Sequence, residues 1–230
     1  GWADYIIRGE YELSLLKLFQ GNPVDVPGLS FLKNNTLVRN PVAPLSALDD
    51  YPSPERDPTC LLHYQERFAF LPGPNIQVLS SRGCPYHCNF CLYPATYYPG
   101  QAFRRRSPEA VLEEISFLAS HYPVKSFYFD DDTINIHRPH LEALAEGLPR
   151  ASGHLAWAAM ARPDLMDREL LKHLKESGCF ALKYGIESAV PALLSAMGKE
   201  LDVDKARENI LISKELGIRC HLTLTIGYPG

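Results

Sequence analysis

The sequence predicts an α/β protein built around a parallel β-sheet. Five apolar, strand-like segments alternate with stretches of helical spacing, and they lie at residues 76–80, 126–129, 155–159, 180–185 and 219–226. Alternation of this kind implies parallel strands that are joined by right-handed helical crossovers. Five such units fit an open or closed barrel, or a doubly wound sheet.

Capping residues support the helices between these strands. Ser107 is a suitable N-cap, the proline that follows it suits the first helical position, and the next residue is a glutamate in the first turn. Asp167 and Asp202 stand at the corresponding point before two later helices. We therefore expect helices to begin directly after these three residues.

Residues 1–40 predict a separate set of elements. Asn34 and Asn35 separate two alternating runs, and asparagine tolerates the positive φ that a tight hairpin needs. The pattern predicts a strand at 5–7, a helix at 10–19 and hairpin strands at 29–33 and 36–40.

A proline-rich linker is expected between this region and the alternating core. Five prolines fall within residues 41–58, and that density favours a semi-rigid spacer. We assign residues 41–75 to the linker and 76–230 to the core. Because the chain begins with Gly1 rather than Met and ends just after a strand-like run, we expect it to be an excerpt of a longer protein.

The composition restricts the class of protein. Hydrophobic residues make up 46% and charged residues 22%, which is usual for a globular domain. A net charge of −4 argues against nucleic-acid partners, and no apolar run has the length of a transmembrane segment. No secretory leader is apparent, and six cysteines are too few for a disulfide scaffold, so we expect a reducing, cytoplasmic location.

The strongest chemical signal is a group of three cysteines. Cys84, Cys88 and Cys91 have C-x3-C-x2-C spacing and follow the first core strand. Three thiolates on one loop can hold three corners of an iron–sulfur cubane and leave one iron open. The alternative is a structural zinc site with His87 as the fourth ligand, although structural zinc usually uses two ligand pairs. Both interpretations are open at this point.

The cysteine motif, with Phe90 before its third cysteine, closely resembles that of the radical S-adenosylmethionine (radical SAM) enzymes. The resemblance extends over residues 76–230, where further matching segments lie in the expected order at 127–132, 162–164, 185–188 and 226–230. Residues 4–10 resemble the last strand of the cobalamin-binding domain that precedes the barrel in one subset of these enzymes. This resemblance assigns residues 1–40 to the tail of such a domain.

The resemblance implies a partial (βα)6 TIM-like barrel with about five βα units, preceded by that α/β tail. It implies a [4Fe–4S] cluster on Cys84, Cys88 and Cys91, with S-adenosylmethionine (SAM) chelating the open iron. One electron then cleaves SAM and releases a 5′-deoxyadenosyl radical, which fits cobalamin-dependent methylation or rearrangement of a small-molecule or lipid substrate. The cobalamin site would lie mostly outside this chain. An electron donor such as flavodoxin or ferredoxin is implied.

Polar residues at the strand ends are the candidate cofactor ligands, because active residues of such barrels lie there. Asp130, Asp131 and Asp132 follow the second strand, and we expect at least one to bind the SAM ammonium group; the alternative is a solvated loop with a capping aspartate. Arg162 follows the third strand and suits the SAM carboxylate, with a surface salt bridge as the alternative.

The remaining candidates follow the last two strands. Glu187 and Ser188 are expected to bind ribose hydroxyls or the amino group, with helix capping as the alternative. Gly227 would let the backbone approach adenine, or is a plain turn glycine. Phe90 completes the cofactor-binding set, and no residue is assigned a catalytic role. For residues 104–106, three consecutive arginines, we expect a solvated face, with phosphate binding as the alternative.

Overall fold

The N-terminal region folds as a small antiparallel sheet with one helix. The structure, a computed structural model, describes residues 3–61, 71–92 and 102–229. Three strands pair in the order β1–β2–β3, and the helix α1 follows β1; the bounds are β1 Tyr5–Ile7, α1 Glu12–Gln20, β2 Leu29–Lys33 and β3 Thr36–Arg39. The turn between β2 and β3 has φ of 50° at Asn34 and 60° at Asn35, which confirms the predicted hairpin.

A short hairpin precedes the core helices. After the helix α2 (Pro58–Leu61) and the strand β4 (Asn75–Val78), the strand β5 (Ser81–Arg82) pairs antiparallel with β6 (Arg104–Arg105). This two-residue pairing closes the base of the segment 83–103, which contains the three motif cysteines. The sequence did not predict this hairpin, because each strand is too short to show a pattern.

The core is a five-stranded parallel sheet covered by helices. Its further strands are β7 Ser126–Phe129, β8 Ala156–Ala161, β9 Cys179–Glu187 and β10 Arg219–Leu224. Its helices are α3 Pro108–His121, α4 Arg138–Ser152, α5 Arg168–Glu176, α6 Pro191–Ala196 and α7 Val203–Glu215. The strands are ordered β4–β7–β8–β9–β10, which is also their order along the chain. A doubly wound sheet reverses its strand order at a switch point, so the observed order selects the partial barrel from the predicted alternatives.

The three predicted helix caps are confirmed. The side chains of Ser107, Asp167 and Asp202 accept hydrogen bonds from the backbone N–H three residues further on, at 3.4, 2.8 and 3.0 Å. Each therefore satisfies one of the N–H groups that a helix leaves unpaired at its start.

Two strands end earlier than the sequence predicts, β4 at Val78 and β10 at Leu224. The regular ladder gives way there to a side-chain contact after β4 and to an irregular pairing with the last residue of β9 after β10. After β4, the N–H of Ser80 donates to the carboxylate of Asp131 at 2.8 Å. After β10, the N–H of Thr225 donates to the carbonyl of Glu187 at 2.9 Å. Both departures occur at the carboxyl ends of the strands.

The core lies between the sheet and its helices. Phe129 makes edge-to-face contacts with Phe127 and Trp157, at centroid distances of 5.3 and 5.5 Å. All three are almost completely buried, and such aromatic side chains contribute strongly to core stability. Tyr128 alternates to the other face of the sheet, where it packs with small residues such as Ala158.

None of the described helices combines the length and the hydropathy that crossing a bilayer requires.

The expectation for the arginine run at 104–106 is wrong in part. The side chains of Arg104 and Arg106 are each only 14% exposed, and they pair with Glu10 and Glu114. Arg104 and Arg106 therefore do not form a solvated face, whereas Arg105 is exposed. Arg104 and Arg106 connect the short hairpin to the N-terminal region and to α3.

Candidate functional site

The cysteine loop leaves the sheet at the carboxyl end of β4. Cys84, Cys88 and Cys91 are free thiols and partly exposed. The N–H of Cys91 donates to the carbonyl of Cys88 at 3.1 Å, which folds the second half of the motif into a tight turn. The motif is therefore presented on one short loop at the strand ends, as the sequence predicts.

Asp131 fixes the start of this loop. Its buried carboxylate accepts hydrogen bonds from the Ser80 N–H at 2.8 Å, from the Ser80 hydroxyl at 2.6 Å and from the Ser81 hydroxyl. Burial raises the pKa of Asp131 to about 6, although the serine hydrogen bonds oppose this rise. Both carboxylate oxygens are thus engaged inside the fold.

His140 extends the same buried network. Its Nε2 lies 3.4 Å from the hydroxyl of Ser80, and because that hydroxyl donates to Asp131, the histidine nitrogen is the donor. Burial lowers the pKa of His140 to about 4, so the ring is neutral at physiological pH. The network therefore connects α4 to the strand end from which the cysteine loop departs.

The neighbouring Asp132 holds the loop one step closer to the cysteines. Its carboxylate accepts from the N–H of Gly83 at 2.7 Å. Gly83 has φ of +93°, and a Cβ there would lie 1.9 Å from the carbonyl oxygen of Ala102, so only glycine fits. Asp130, by contrast, has an exposed side chain, and its N–H donates to the carbonyl of Val78 at 2.9 Å.

Arg162 supports the loop from the end of β8. Its buried guanidinium donates to Asp164 at 3.1 and 2.7 Å and to the backbone carbonyl of Glu200. It also lies over the ring of Tyr86, 3.8 Å from the centroid. The salt bridge considered as an alternative for Arg162 is present, but it is buried rather than on the surface.

The end of β9 brings a charged pair towards the loop. Glu187 has φ of +63°, and its carboxylate accepts from Lys199 at 3.2 Å and from the Thr225 hydroxyl at 2.9 Å. A non-glycine residue in this region is uncommon, and such conformations cluster at functional sites. Sequence reasoning missed Lys199, because a single lysine after a short helix has no motif of its own.

The thiols experience both burial and nearby charge. Burial raises the pKa of Cys84, and a hydrogen bond from the backbone of Tyr86 opposes the rise. Burial also raises the pKa of Cys88, and the positive charges of Lys199 and Arg162 oppose it. The two positive charges therefore favour the thiolate form of Cys88, although burial outweighs them and the pKa stays raised.

The middle of the loop contacts residues that follow the fourth and fifth strands of the core sheet. The N–H and the side-chain amide of Asn89 donate to the carbonyls of Met197 and Ala196, at 3.0 and 2.8 Å. The hydroxyl of Tyr228 donates to Asn89 at 2.7 Å. Sequence reasoning missed both Asn89 and Tyr228, since isolated polar residues of loops give no periodic signal.

Three further predicted residues have fewer contacts. The Ser188 hydroxyl accepts from the Val190 N–H at 3.0 Å, which makes a turn before α6 rather than a side-chain cap on it. Gly227 has φ of +81° with open space around it. Phe90 is 42% exposed. Binding of a cofactor by Ser188, Gly227 and Phe90 stays a prediction.

The donor set suits an iron–sulfur cluster. Three free thiols share one loop, and cationic side chains stand beside Cys88. Within residues 3–61, 71–92 and 102–229, no group of three or more His, Cys, Asp or Glu side chains is arranged to hold one metal ion. Cysteine thiolates are the ligands that iron–sulfur clusters use.

Comparison with known proteins gives one family and several relatives. Residues 78–230 match the profile of the Radical SAM superfamily. An uncharacterised methyltransferase of Pyrococcus horikoshii is 29% identical over 232 residues, which cover 98% of this chain and 49% of that protein. The cytidylyl-2-hydroxyethylphosphonate methyltransferase of Streptomyces wedmorensis is 33% identical over 156 residues, which cover 66% of this chain and 28% of that protein.

A solved structure shows the same fold over almost the whole chain. TsrM of Kitasatospora setae, a radical S-adenosylmethionine methyltransferase with cobalamin and a [4Fe–4S] cluster bound, has a TM-score of 0.76 and 19% sequence identity. The match covers 99% of this chain and 46% of TsrM. The chain thus spans half or less of the length of each of these relatives.

Proposed function

The chain belongs to the radical SAM superfamily, and we propose that it binds a [4Fe–4S] cluster through Cys84, Cys88 and Cys91 and binds SAM at the open iron. When bound, the cluster would supply the electron that cleaves the sulfonium bond of SAM and releases a 5′-deoxyadenosyl radical. The observation that carries this proposal is the three-thiol loop, anchored at the carboxyl ends of a singly wound parallel sheet.

The residues beneath the loop would keep it in one conformation. Asp131 and Asp132 hold its first residues through Ser80, Ser81 and Gly83. A cluster with three thiolates is anionic, and buried cations beside it reduce the cost of that charge. Lys199 and Arg162 are the cations near Cys88.

The strand-end residues would bind SAM around the cluster. We assign the ammonium group to Asp130 or Asp132, because both oxygens of Asp131 are engaged with serines. Glu187 and Ser188 would face the ribose or the amino group. Arg162 would favour the SAM carboxylate mainly through its charge, since its Nε and Nη2 already donate to Asp164 and to the carbonyl of Glu200.

Phe90 and Gly227 complete the proposed SAM site. Phe90 is 42% exposed beside Cys91, which leaves its ring available to cover a ligand. The open space around Gly227 leaves its backbone accessible to an adenine ring. Neither residue would take part in a proton or electron transfer.

We propose cobalamin-dependent methylation of a small-molecule or lipid substrate as the overall reaction. Two relatives are named methyltransferases, and TsrM, which contains cobalamin, shares the fold of residues 1–40 as well as that of the barrel. The cobalamin site would lie mostly outside this chain, and a flavodoxin or ferredoxin would supply electrons in the cytoplasm. Nothing in the structure or the comparisons supports the zinc alternative.

Anaerobic reconstitution tests the proposed function. We expect the unaltered full-length protein to retain iron and acid-labile sulfide and to convert SAM to 5′-deoxyadenosine with dithionite as the reductant. Cys88→Ala should lose both properties, whereas Cys220→Ala, which changes a half-buried cysteine of β10, should keep them. Full iron loading of Cys88→Ala, or a colourless unaltered protein with one zinc ion, would overturn the proposal.

A further inference from the structure

The base of the cysteine loop carries two arginines side by side. In the pairing of β5 with β6, Arg82 lies directly opposite Arg104. Their side chains are only 22% and 14% exposed. Like charges directly opposite each other destabilise an antiparallel pair, so this hairpin needs a counter-charge to close the loop.

Glu10, from the N-terminal region, supplies that counter-charge. Its side chain is 9% exposed, and its Oε1 accepts from Arg82 at 3.3 Å and also from Arg104. The Tyr51 hydroxyl donates to its Oε2 at 3.3 Å. One carboxylate thus contacts both strands at the base of the loop.

The neighbouring Glu12 makes a different contact. Its carboxylate pairs with Arg82 at 2.7 Å, and its side chain is 26% exposed. It contacts the β5 side of the hairpin, as do Asp131 and Asp132 through the residues on either side of Arg82. Glu10 differs from all three in bridging β5 to β6.

We propose that Glu10 is a positioning residue for the cysteine loop: its carboxylate joins Arg82 to Arg104 and so holds together the two ends of the segment 83–103. The N-terminal region is then part of the cluster site rather than a passive attachment to the barrel. We call the bridge from Arg82 through Glu10 to Arg104 the clamp. That the loop holds a cluster rests on the proposed function, but the clamp does not.

Hydrogen exchange of the full-length protein without its cluster tests the clamp directly. In Glu10→Gln, the amides of residues 81–83 and 104–106 should exchange roughly five- to tenfold faster, because the like-charge pair loses the carboxylate that contacts both arginines, although Glu12 still pairs with Arg82. Glu12→Gln also removes one negative charge but leaves the contacts of Glu10 with both arginines in place. In this variant, exchange at residues 81–83 and 104–106 should change less than about twofold. Exchange in the N–H groups of β8 should stay unchanged in both variants.

A double variant separates the clamp from a general loss of stability. Glu10→Gln with Arg104→Gln removes the like-charge pair, so protection at residues 81–83 should return towards that of the unaltered protein. The reconstituted Glu10→Gln protein should also lose iron to a chelator several-fold faster than Glu12→Gln.

The outcomes distinguish the two proposals. Unaltered exchange in Glu10→Gln, or a double variant less protected than Glu10→Gln alone, would overturn the clamp. If Glu10→Gln fails to fold, the double variant decides, because a clamp predicts that it folds and a general structural role predicts that it does not. Failure of the unaltered protein to bind iron would overturn the proposed function and leave the exchange result standing.

Discussion

The guanidinium of Arg162 lies over the ring of Tyr86, 3.8 Å from its centroid. Tyr86 stands between Cys84 and Cys88, and Arg162 follows β8, so this contact fixes the middle of the cysteine loop to the third strand of the sheet. Cation–π contacts contribute about 0.5–2 kcal/mol, with the larger values at desolvated sites. Arg162 is 5% exposed, which places this contact at the stronger end.

Removal of the Tyr86 ring should therefore loosen the loop. We expect Tyr86→Ala to lower the free energy of unfolding by about 1–2 kcal/mol and to reduce iron retention after reconstitution. Tyr86→Phe keeps the aromatic face and should behave like the unaltered protein in both measurements. Equal losses in the two variants would show that the hydroxyl, rather than the ring, carries the interaction.

Gly83→Ala should damage the site more than other glycine substitutions. Its Cβ would lie 1.9 Å from the carbonyl oxygen of Ala102, in addition to the strain of φ at +93°. Gly153 is the matched control, because it has φ of +62° with open space around it. We expect Gly153→Ala to cost about 1 kcal/mol, and Gly83→Ala to cost more and to abolish iron retention. Comparable urea midpoints for the two variants would contradict this.

The sequence sufficed for those features that depend on local patterns. The five core strands, the caps Ser107, Asp167 and Asp202, and the Asn34–Asn35 hairpin follow from periodicity, capping chemistry and turn chemistry. The placement of the cysteine motif at a strand end follows equally, because parallel strands direct their carboxyl ends to one edge.

The contacts that hold the loop could not be predicted in this way. Glu10 is 94 residues from Arg104 in sequence, and Asn89 is 139 residues from Tyr228. Such pairs show no periodicity. Each residue, considered alone, is a polar side chain of the kind that is usual in a solvated loop. The expectation for the arginine run at 104–106 fails at Arg104 for this reason, since its partner Glu10 lies on a distant element.

Glu187→Gln should separate cofactor binding from cluster retention. The substitution keeps the side-chain shape but removes the charge that pairs with Lys199 at 3.2 Å. Since the three cysteines are unaltered, iron retention should persist, whereas SAM affinity should fall about tenfold through loss of a charge-assisted hydrogen bond. Glu200→Gln, which neutralises a nearby exposed carboxylate, is the control and should bind SAM normally. Unchanged SAM affinity in Glu187→Gln, measured calorimetrically, would remove Glu187 from the proposed SAM site.

Asp131 and His140 should give opposite contributions to the pH dependence of stability. Burial raises the pKa of Asp131 from 3.8 to about 6, so its stabilising contribution is complete below pH 3.8 and is lost as the pH rises through 6. Burial lowers the pKa of His140 from 6.5 to about 4, so its contribution is complete above pH 6.5 and is lost as the pH falls through 4. Between pH 4 and 6 the two effects oppose each other in the unaltered protein.

Single substitutions should reveal these opposing slopes. In His140→Gln, the loss of stability that protonation of His140 causes is absent. On acidification from pH 7 to 4.5, the change in the free energy of unfolding should therefore be about 1–2 kcal/mol more positive than in the unaltered protein. In Asp131→Asn the compensating gain on acidification disappears, and stability should fall more steeply over the same interval. Urea unfolding at the two pH values measures both slopes, and the slope is independent of any constant loss of stability that a substitution causes. Parallel behaviour of both variants and the unaltered protein would show that neither group titrates differently in the folded and unfolded states, and that burial of the Asp131–Ser80–His140 network does not govern its protonation.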